Sequence, residues 1–187
     1  MRLFVGINIP KKQRTRIHRA IRGLRESALP VKWIEPDNFH VTLKFLGEVR
    51  RERVDVIGAA LEKAAGSTTS FVTNFGGFGA FPTIRRPRVI WLGVDATPEF
   101  RCMKQDLEWA LGDAGFDAET RAFHPHVTLG RADATGGAGV FRGLDQQLAD
   151  LEVRGEIKVR TIDLMRSDLS PEGPRYSIVS SARLVPS

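Results

Sequence analysis

Two stretches of alternating apolar and polar residues share one phrase, His40-Val41-Thr42-Leu43 and His126-Val127-Thr128-Leu129, 86 positions apart in a chain of 187 residues. Alternate residues of an extended strand point to opposite faces. Val41, Leu43 and Phe45 are therefore expected on one face, with His40 and Thr42 on the other; Val127 and Leu129 oppose His126 and Thr128 in the same way. Each copy reads as a half-buried strand, pinned by its aliphatic residues and presenting an imidazole and a hydroxyl on the far side.

The surrounding pattern predicts a strand near 2–8 and a helix near 11–26, whose apolar stripe is Ile17, Ala20, Ile21 and Leu24. Val54 to Leu61 reads as a helix, closed by Gly66 and the turn cluster Ser67-Thr68-Thr69-Ser70. Strands are expected near 70–75 and 88–95. The segment Gly76-Gly77-Phe78-Gly79-Ala80-Phe81 between them reads as a turn, with Phe78 or Phe81 available for base stacking. It is no phosphate-cradling loop, because the Lys-Ser/Thr of a P-loop is missing. Asp95 or Thr97 can cap a helix that buries Phe100, Met103, Leu107 and Leu111 and stops near Gly112 or Gly115. After the second phrase come a loop of small residues over 133–139, a short helix near 141–150 and three strand-like stretches. Such mixed order argues an α+β fold rather than a doubly wound parallel sheet. No linker divides the chain, so 1–187 is expected to form a single domain whose halves each own one His-x-Thr phrase.

Composition narrows the class. A hydrophobic content of 42% and a charged content of 27% describe an ordinary folded protein, and no apolar run approaches the roughly 20 residues of a membrane helix. The N-terminus reads as a first strand rather than a signal peptide, so a cytoplasmic location is expected, without membrane association. The single cysteine, Cys102, excludes an intramolecular disulfide and weakens any thiolate–metal site. A net charge of +6 favours a polyanionic partner. The excess is focused in the first helix, at Lys11, Lys12, Arg14, Arg16, Arg19, Arg22 and Arg25, which is either an RNA-attracting surface or a solvated helix face. Trp33, Trp91 and Trp109 are expected in the core or a cleft wall.

The candidate chemistry lies in the repeated phrase. In-line displacement at phosphorus places the attacking and leaving oxygens on opposite sides, so one imidazole is needed to take a proton and a second to give one. Within each strand the threonine lies roughly 7 Å from its histidine on the same face, a spacing suited to contacting different atoms of one phosphate. No metal or other cofactor is required. The alternative is a three-histidine metal site from His40, His124 and His126, which leaves Thr42 and Thr128 without a role. Pro125 is expected to mark the start of its strand. Arg131 points away from His126 under simple alternation, and reaches it only if the strand bends, which Gly130 permits. Lys44 shares the His40 face in that alternation and could meet phosphate.

The longer motifs Arg2-Leu3-Phe4-Val5-Gly6-Ile7, the run 32–48 around the first phrase, Pro87-Arg88-Val89-Ile90-Trp91-Leu92-Gly93 and Phe123-His124-Pro125-His126-Val127-Thr128-Leu129-Gly130-Arg131 resemble the two-histidine phosphoesterase superfamily. Within it, the chain is similar to the bacterial and archaeal RNA 2′,3′-cyclic phosphodiesterases, also called 2′-5′ RNA ligases. The resemblance implies a bilobal, pseudo-two-fold α+β fold, with an antiparallel sheet in each lobe, helices outside and the active-site cleft between them. It also implies metal-independent hydrolysis of 2′,3′-cyclic phosphate ends of RNA to a 2′-phosphate; a monomer is expected. His40 is then the acid, His126 the base, and Thr42, Thr128 and Arg131 the phosphate contacts. The same site could join a cyclic phosphate to a 5′-hydroxyl as a ligase. A different class of reading is a non-catalytic RNA-binding module that uses the basic helix.

Overall fold

The alternating segments assemble into a sheet whose two halves are joined, β3 to β6, by a single ladder pair. The computed structural model describes residues 1–133, 135–137 and 139–187; Ala134 and Ala138, in the small-residue loop, lie outside the described residues. The elements in chain order are β1 (Arg2–Asn8), α1 (Lys11–Ala20), α2 (Arg22–Glu26), β2 (Val31–Trp33), β3 (His40–Glu48), α3 (Val54–Gly66), β4 (Phe71–Pro82), β5 (Pro87–Val94), α4 (Pro98–Asp113), β6 (His126–Ala132), α5 (Leu144–Ala149), β7 (Arg154–Val159), β8 (Thr161–Ser170) and β9 (Gly173–Arg183). Among the described residues, no helix is long and apolar enough to cross a membrane.

Sheet order is β7-β4-β5-β6-β3-β1-β8-β9, with β2 paired to β6. The run β3-β1-β8-β9 is one antiparallel half, and β6-β5-β4-β7 is the other. They meet where Val41 of β3 pairs with Val127 of β6. Beyond that pair, β2 takes the adjoining stretch of β6 at residues 130–132, so β3 and β6 diverge. Outward from this seam the halves repeat one plan: β1 flanks the first phrase as β5 flanks the second.

One contiguous core lies on the face carrying Val41, Leu43, Val127 and Leu129. Helix α1 brings Ile17 to it; α4 brings Phe100, Met103, Leu107 and Leu111, with Thr97 capping its first turn through the Phe100 amide at 3.3 Å. The basic helix therefore packs on the face opposite the histidines. Arg14 bonds the carbonyl and carboxylate of Asp37, and Arg16 donates to the Arg154 carbonyl at 2.6 Å. Those contacts favour the solvated-face reading over an RNA-attracting surface.

Three expectations need correction. The 76–81 segment is not a turn: β4 runs on to Pro82, and the glycines form a bulge opposite Leu92–Val94, with Gly77 at φ +76° in the region that favours glycine. Trp109 lies on the outer surface of α4, 65% exposed, because its neighbours Leu107 and Leu111 take the core positions. Phe45 and Lys44 exchange faces. In the β1–β3 register Val5 pairs with Lys44 and Gly6 with Thr42, so Leu43 is an extra residue and strict alternation ends there. Lys44 is consequently buried and bonds Glu108 of α4 at 2.6 Å, while Phe45 is 61% exposed.

Candidate active site

Antiparallel pairing of Val41 with Val127 sets His40 beside Thr128 and Thr42 beside His126. All four side chains leave the sheet on the face opposite the two valines, where each is partly exposed. The predicted quartet is thus gathered around the seam between the halves.

Each imidazole is oriented by the carbonyl two residues before it. His40 Nδ1 lies 2.7 Å from the Asn38 carbonyl, and His126 Nδ1 lies 2.7 Å from that of His124. A carbonyl only accepts, so both Nδ1 atoms carry the proton and both Nε2 atoms are left for chemistry. His40 Nε2 accepts from the Thr42 hydroxyl at 2.9 Å. Local sequence explains the repeat of this arrangement. Phe39 is buried beside His40, and Pro125 stands just before β6, where its carbonyl accepts from the Val94 amide at 3.1 Å and no amide hydrogen is required of it.

The second phrase carries the same bulge as the first. Ile90 pairs with Gly130 and Trp91 with Thr128, so Leu129 is the extra residue. The bulge is the bend that Arg131 needed. It turns the exposed Arg131 to the histidine face, and its positive charge is felt by His40, His126 and Tyr176 alike. Burial lowers the His40 pKa to about 4; the Asn38 carbonyl opposes that change, and Arg131 and His126 add to it. Burial also lowers the His126 pKa, reinforced by His124 and Arg131 and opposed by the His124 carbonyl. Both rings are biased to the neutral form while no anion is near.

Aromatic neighbours from remote strands complete the walls. Phe4 lies 4.7 Å from the His40 ring, and the Tyr176 ring meets His40 edge-on at 5.1 Å. Phe81 meets His126 edge-on at 5.2 Å. Burial raises the Tyr176 pKa, against the pull of Arg131 and Arg2. None of these three was assigned from sequence as a neighbour of a histidine. One usable signal was present: Phe4-Val5-Gly6-Ile7 and Trp91-Leu92-Gly93-Val94 repeat an aromatic, aliphatic, glycine, aliphatic order on the strands flanking the two phrases.

His124 is a wall residue, its ring 5.1 Å from Phe81 and 4.9 Å from Trp91. Among the described residues, no group of three or more His, Cys, Asp or Glu side chains is placed to hold a metal ion. Lys44 does not reach the cleft. It joins Lys104 on Glu108, and Lys104 also donates to the Leu43 carbonyl at 2.7 Å, fastening the bulge at the end of the first phrase. Against burial, which raises it, the hydrogen bonds from Lys104 and Lys44 hold the Glu108 carboxyl below its ordinary pKa.

A model of the LigT-like phosphoesterases matches residues 7–91 and again 93–176, one match for each half. The chain is 36% identical over 162 residues to an RNA 2′,3′-cyclic phosphodiesterase of Aeropyrum pernix, covering 86% of this chain and 90% of the relative. It is 31% identical over 184 residues to the protein of that name from Methanothermobacter thermautotrophicus, covering 98% and 99%. Among solved structures, a Thermus thermophilus protein, TT0787, superposes with a TM-score of 0.81 at 25% identity, with 98% of each chain covered. E. coli LigT complexed with 3′-AMP gives a TM-score of 0.76 at 24% identity over 98% of this chain and 97% of that one, a likeness of fold. With both halves matched, the chain belongs to the LigT-like phosphoesterase family.

Proposed function

We propose that the protein is an RNA 2′,3′-cyclic phosphodiesterase, which hydrolyses terminal cyclic phosphate to a 2′-phosphate, as a monomer in the cytoplasm, with both halves forming one catalytic unit. The observation that carries this reading is the pair of imidazoles on one face of the seam, each with Nδ1 fixed by a carbonyl and Nε2 left for chemistry, beside a guanidinium whose charge reaches both. Curated relatives of that name at 36% and 31% identity support it.

In the proposed reaction His126 Nε2 takes a proton from water as the water oxygen bonds to phosphorus. The bond from phosphorus to the ribose 3′ oxygen breaks on the opposite side, and His40 Nε2–H protonates that oxygen. The products are a 2′-phosphate and a 3′-hydroxyl; proton exchange with solvent then resets both rings. Once His40 Nε2 carries the proton meant for the leaving oxygen it no longer accepts from Thr42, so the Thr42 hydroxyl turns its hydrogen to a non-bridging oxygen. Thr128 serves the other non-bridging oxygen, and Arg131 balances the phosphate charge. The low His40 pKa fits the acid role: an imidazolium that parts readily with its proton is a strong acid, and the arriving anion raises the proton affinity of the ring so that it takes that proton from solvent.

The test is incubation with an oligonucleotide ending in a 2′,3′-cyclic phosphate, with and without a chelator, followed by mapping of the product phosphate. A 2′-phosphate formed at the same rate in both samples is expected. A 3′-phosphate, or activity abolished by the chelator, overturns the assignment.

A further inference from the structure

Strand β2 brings a second cation to the cleft beside Arg131. In the β2–β6 register Lys32 pairs with Arg131, between the pairs Val31 with Ala132 and Trp33 with Gly130. Directly opposed residues of neighbouring strands project to the same face, so Lys32 shares the face that Arg131 reaches through its bulge. An independent observation agrees. A side chain at Gly130 would meet Val31 Cγ1 at 2.5 Å and Trp33 Cε3 at 2.8 Å, so Val31 and Trp33 cover the core side of β6 and Lys32 is left the other.

Lys32 is exposed and, among the described residues, has no carboxylate partner; Glu35 pairs with Arg25, Glu172 with Arg175, and Asp133 accepts from the Thr135 amide. Its Cε lies 3.9 Å from the position a Cβ on Gly173 would take, at the β8–β9 turn of the opposite half. That turn is tied back to the segment before β3 by the Asn38 amide, which donates to the Pro174 carbonyl at 2.8 Å. Lys32 therefore stands at the rim where the two halves approach each other. It is one strand spacing, about 4.8 Å, from Arg131, on the edge of β6 that β3 also uses.

Resting on the function proposed above, we propose that Lys32 binds the phosphodiester immediately 5′ of the terminal nucleotide, forming a second phosphate subsite that favours RNA chains over mononucleotides. With the cyclic phosphate between the histidines, the next phosphate of the strand hangs from the 5′ oxygen of the same ribose. A nucleoside 2′,3′-cyclic monophosphate has no such group, whereas a dinucleotide ending in a cyclic phosphate has one. The flexible, unpaired ammonium suits a point contact to one anionic oxygen.

The experiment compares kcat/KM on those two substrates for the wild type, Lys32→Ala and Lys32→Arg. Lys32→Ala is expected to lose about 5-fold more on the dinucleotide than on the mononucleotide at low salt, as one solvent-exposed charge contact warrants. Its plot of log kcat/KM against log salt for the dinucleotide should be shallower by about 0.7. Lys32→Arg should restore both. Equal losses on the two substrates, or an unchanged salt slope, overturns the subsite while leaving the activity intact. Wild-type protein that turns over neither substrate overturns the function on which the subsite rests.

Discussion

The titration of His40 reports directly on the electrostatics of the cleft. Lowering an imidazole from 6.5 to about 4 disfavours its cation by roughly 3 kcal/mol relative to the unfolded chain. Burial is the main cause, so the effect belongs to the folded state. Between these two values the unfolded chain holds a proton on His40 that the native chain refuses. The corresponding stability is complete above pH 6.5 and is lost as pH falls, by up to about 3 kcal/mol near pH 4. His40→Gln keeps a polar side chain of similar size but removes this proton. Between pH about 7 and about 4, its unfolding free energy should gain on that of the wild type by up to about 3 kcal/mol, read by urea denaturation. Sulfate keeps its charge over this range and stands in for the substrate phosphate. In its presence the His40 Cε1–H resonance should titrate at higher pH than in its absence. A resonance that titrates near 6.5 without anion, or ignores sulfate, refutes the picture of a largely desolvated imidazole awaiting an anion.

The repeated phrase, its exposed face, the capped helix α4 and the pairing of both histidines at one site were legible because strand alternation and helical periodicity are local. The faces of Phe45, Lys44 and Arg131 were not. Each depends on one extra residue, Leu43 or Leu129, and a bulge is a property of the strand pair rather than of the strand. Phe4, Phe81 and Tyr176 were hidden for the same reason: they reach the histidines from β1, β4 and β9, and strand order is not written in periodicity. The glycines of β4 are ambiguous in sequence because Gly77 serves a bulge as well as it would a turn.

These bulges also break the symmetry of the site. They fall at the same position of both phrases and turn the residue two further on toward the cleft, which is Phe45 in one half and Arg131 in the other. Phe45 lies 6.2 Å from Phe4, whose ring is tilted against His40, so the first histidine has an aromatic surround. The second has Phe81 as its aromatic wall and shares its half with Arg131, whose charge reaches both rings. Identical tetrapeptides thereby acquire different surroundings, and two chemically equal imidazoles can take opposite roles in one displacement.

Three further outcomes are expected. Glu108→Gln leaves Lys44 and Lys104 buried without their shared carboxylate, so it should destabilise the fold by about 3–5 kcal/mol, measured by urea unfolding; a change under about 1 kcal/mol, the range of exposed pairs, would contradict a buried network. Neutralising Arg14, Arg16 and Arg19 together should leave the salt slope of RNA turnover unchanged, because α1 packs on the face opposite the histidines; a shallower slope would return the helix to the RNA path. The last outcome separates acid from base. His40→Ala and His126→Ala should each lower kcat/KM by roughly 10²–10⁴-fold, the usual contribution of a positioned proton donor or acceptor. That pair of losses alone cannot say which ring does which, since each removes one half of a coupled act. A substrate with sulfur in place of the 3′ leaving oxygen departs as a thiolate with little need of a proton. It should recover most of the activity lost in His40→Ala and little of that lost in His126→Ala, because water must still be deprotonated. Recovery in the reverse order would exchange the two roles, and recovery in neither would mean that His40 acts on the phosphate charge rather than on the leaving oxygen.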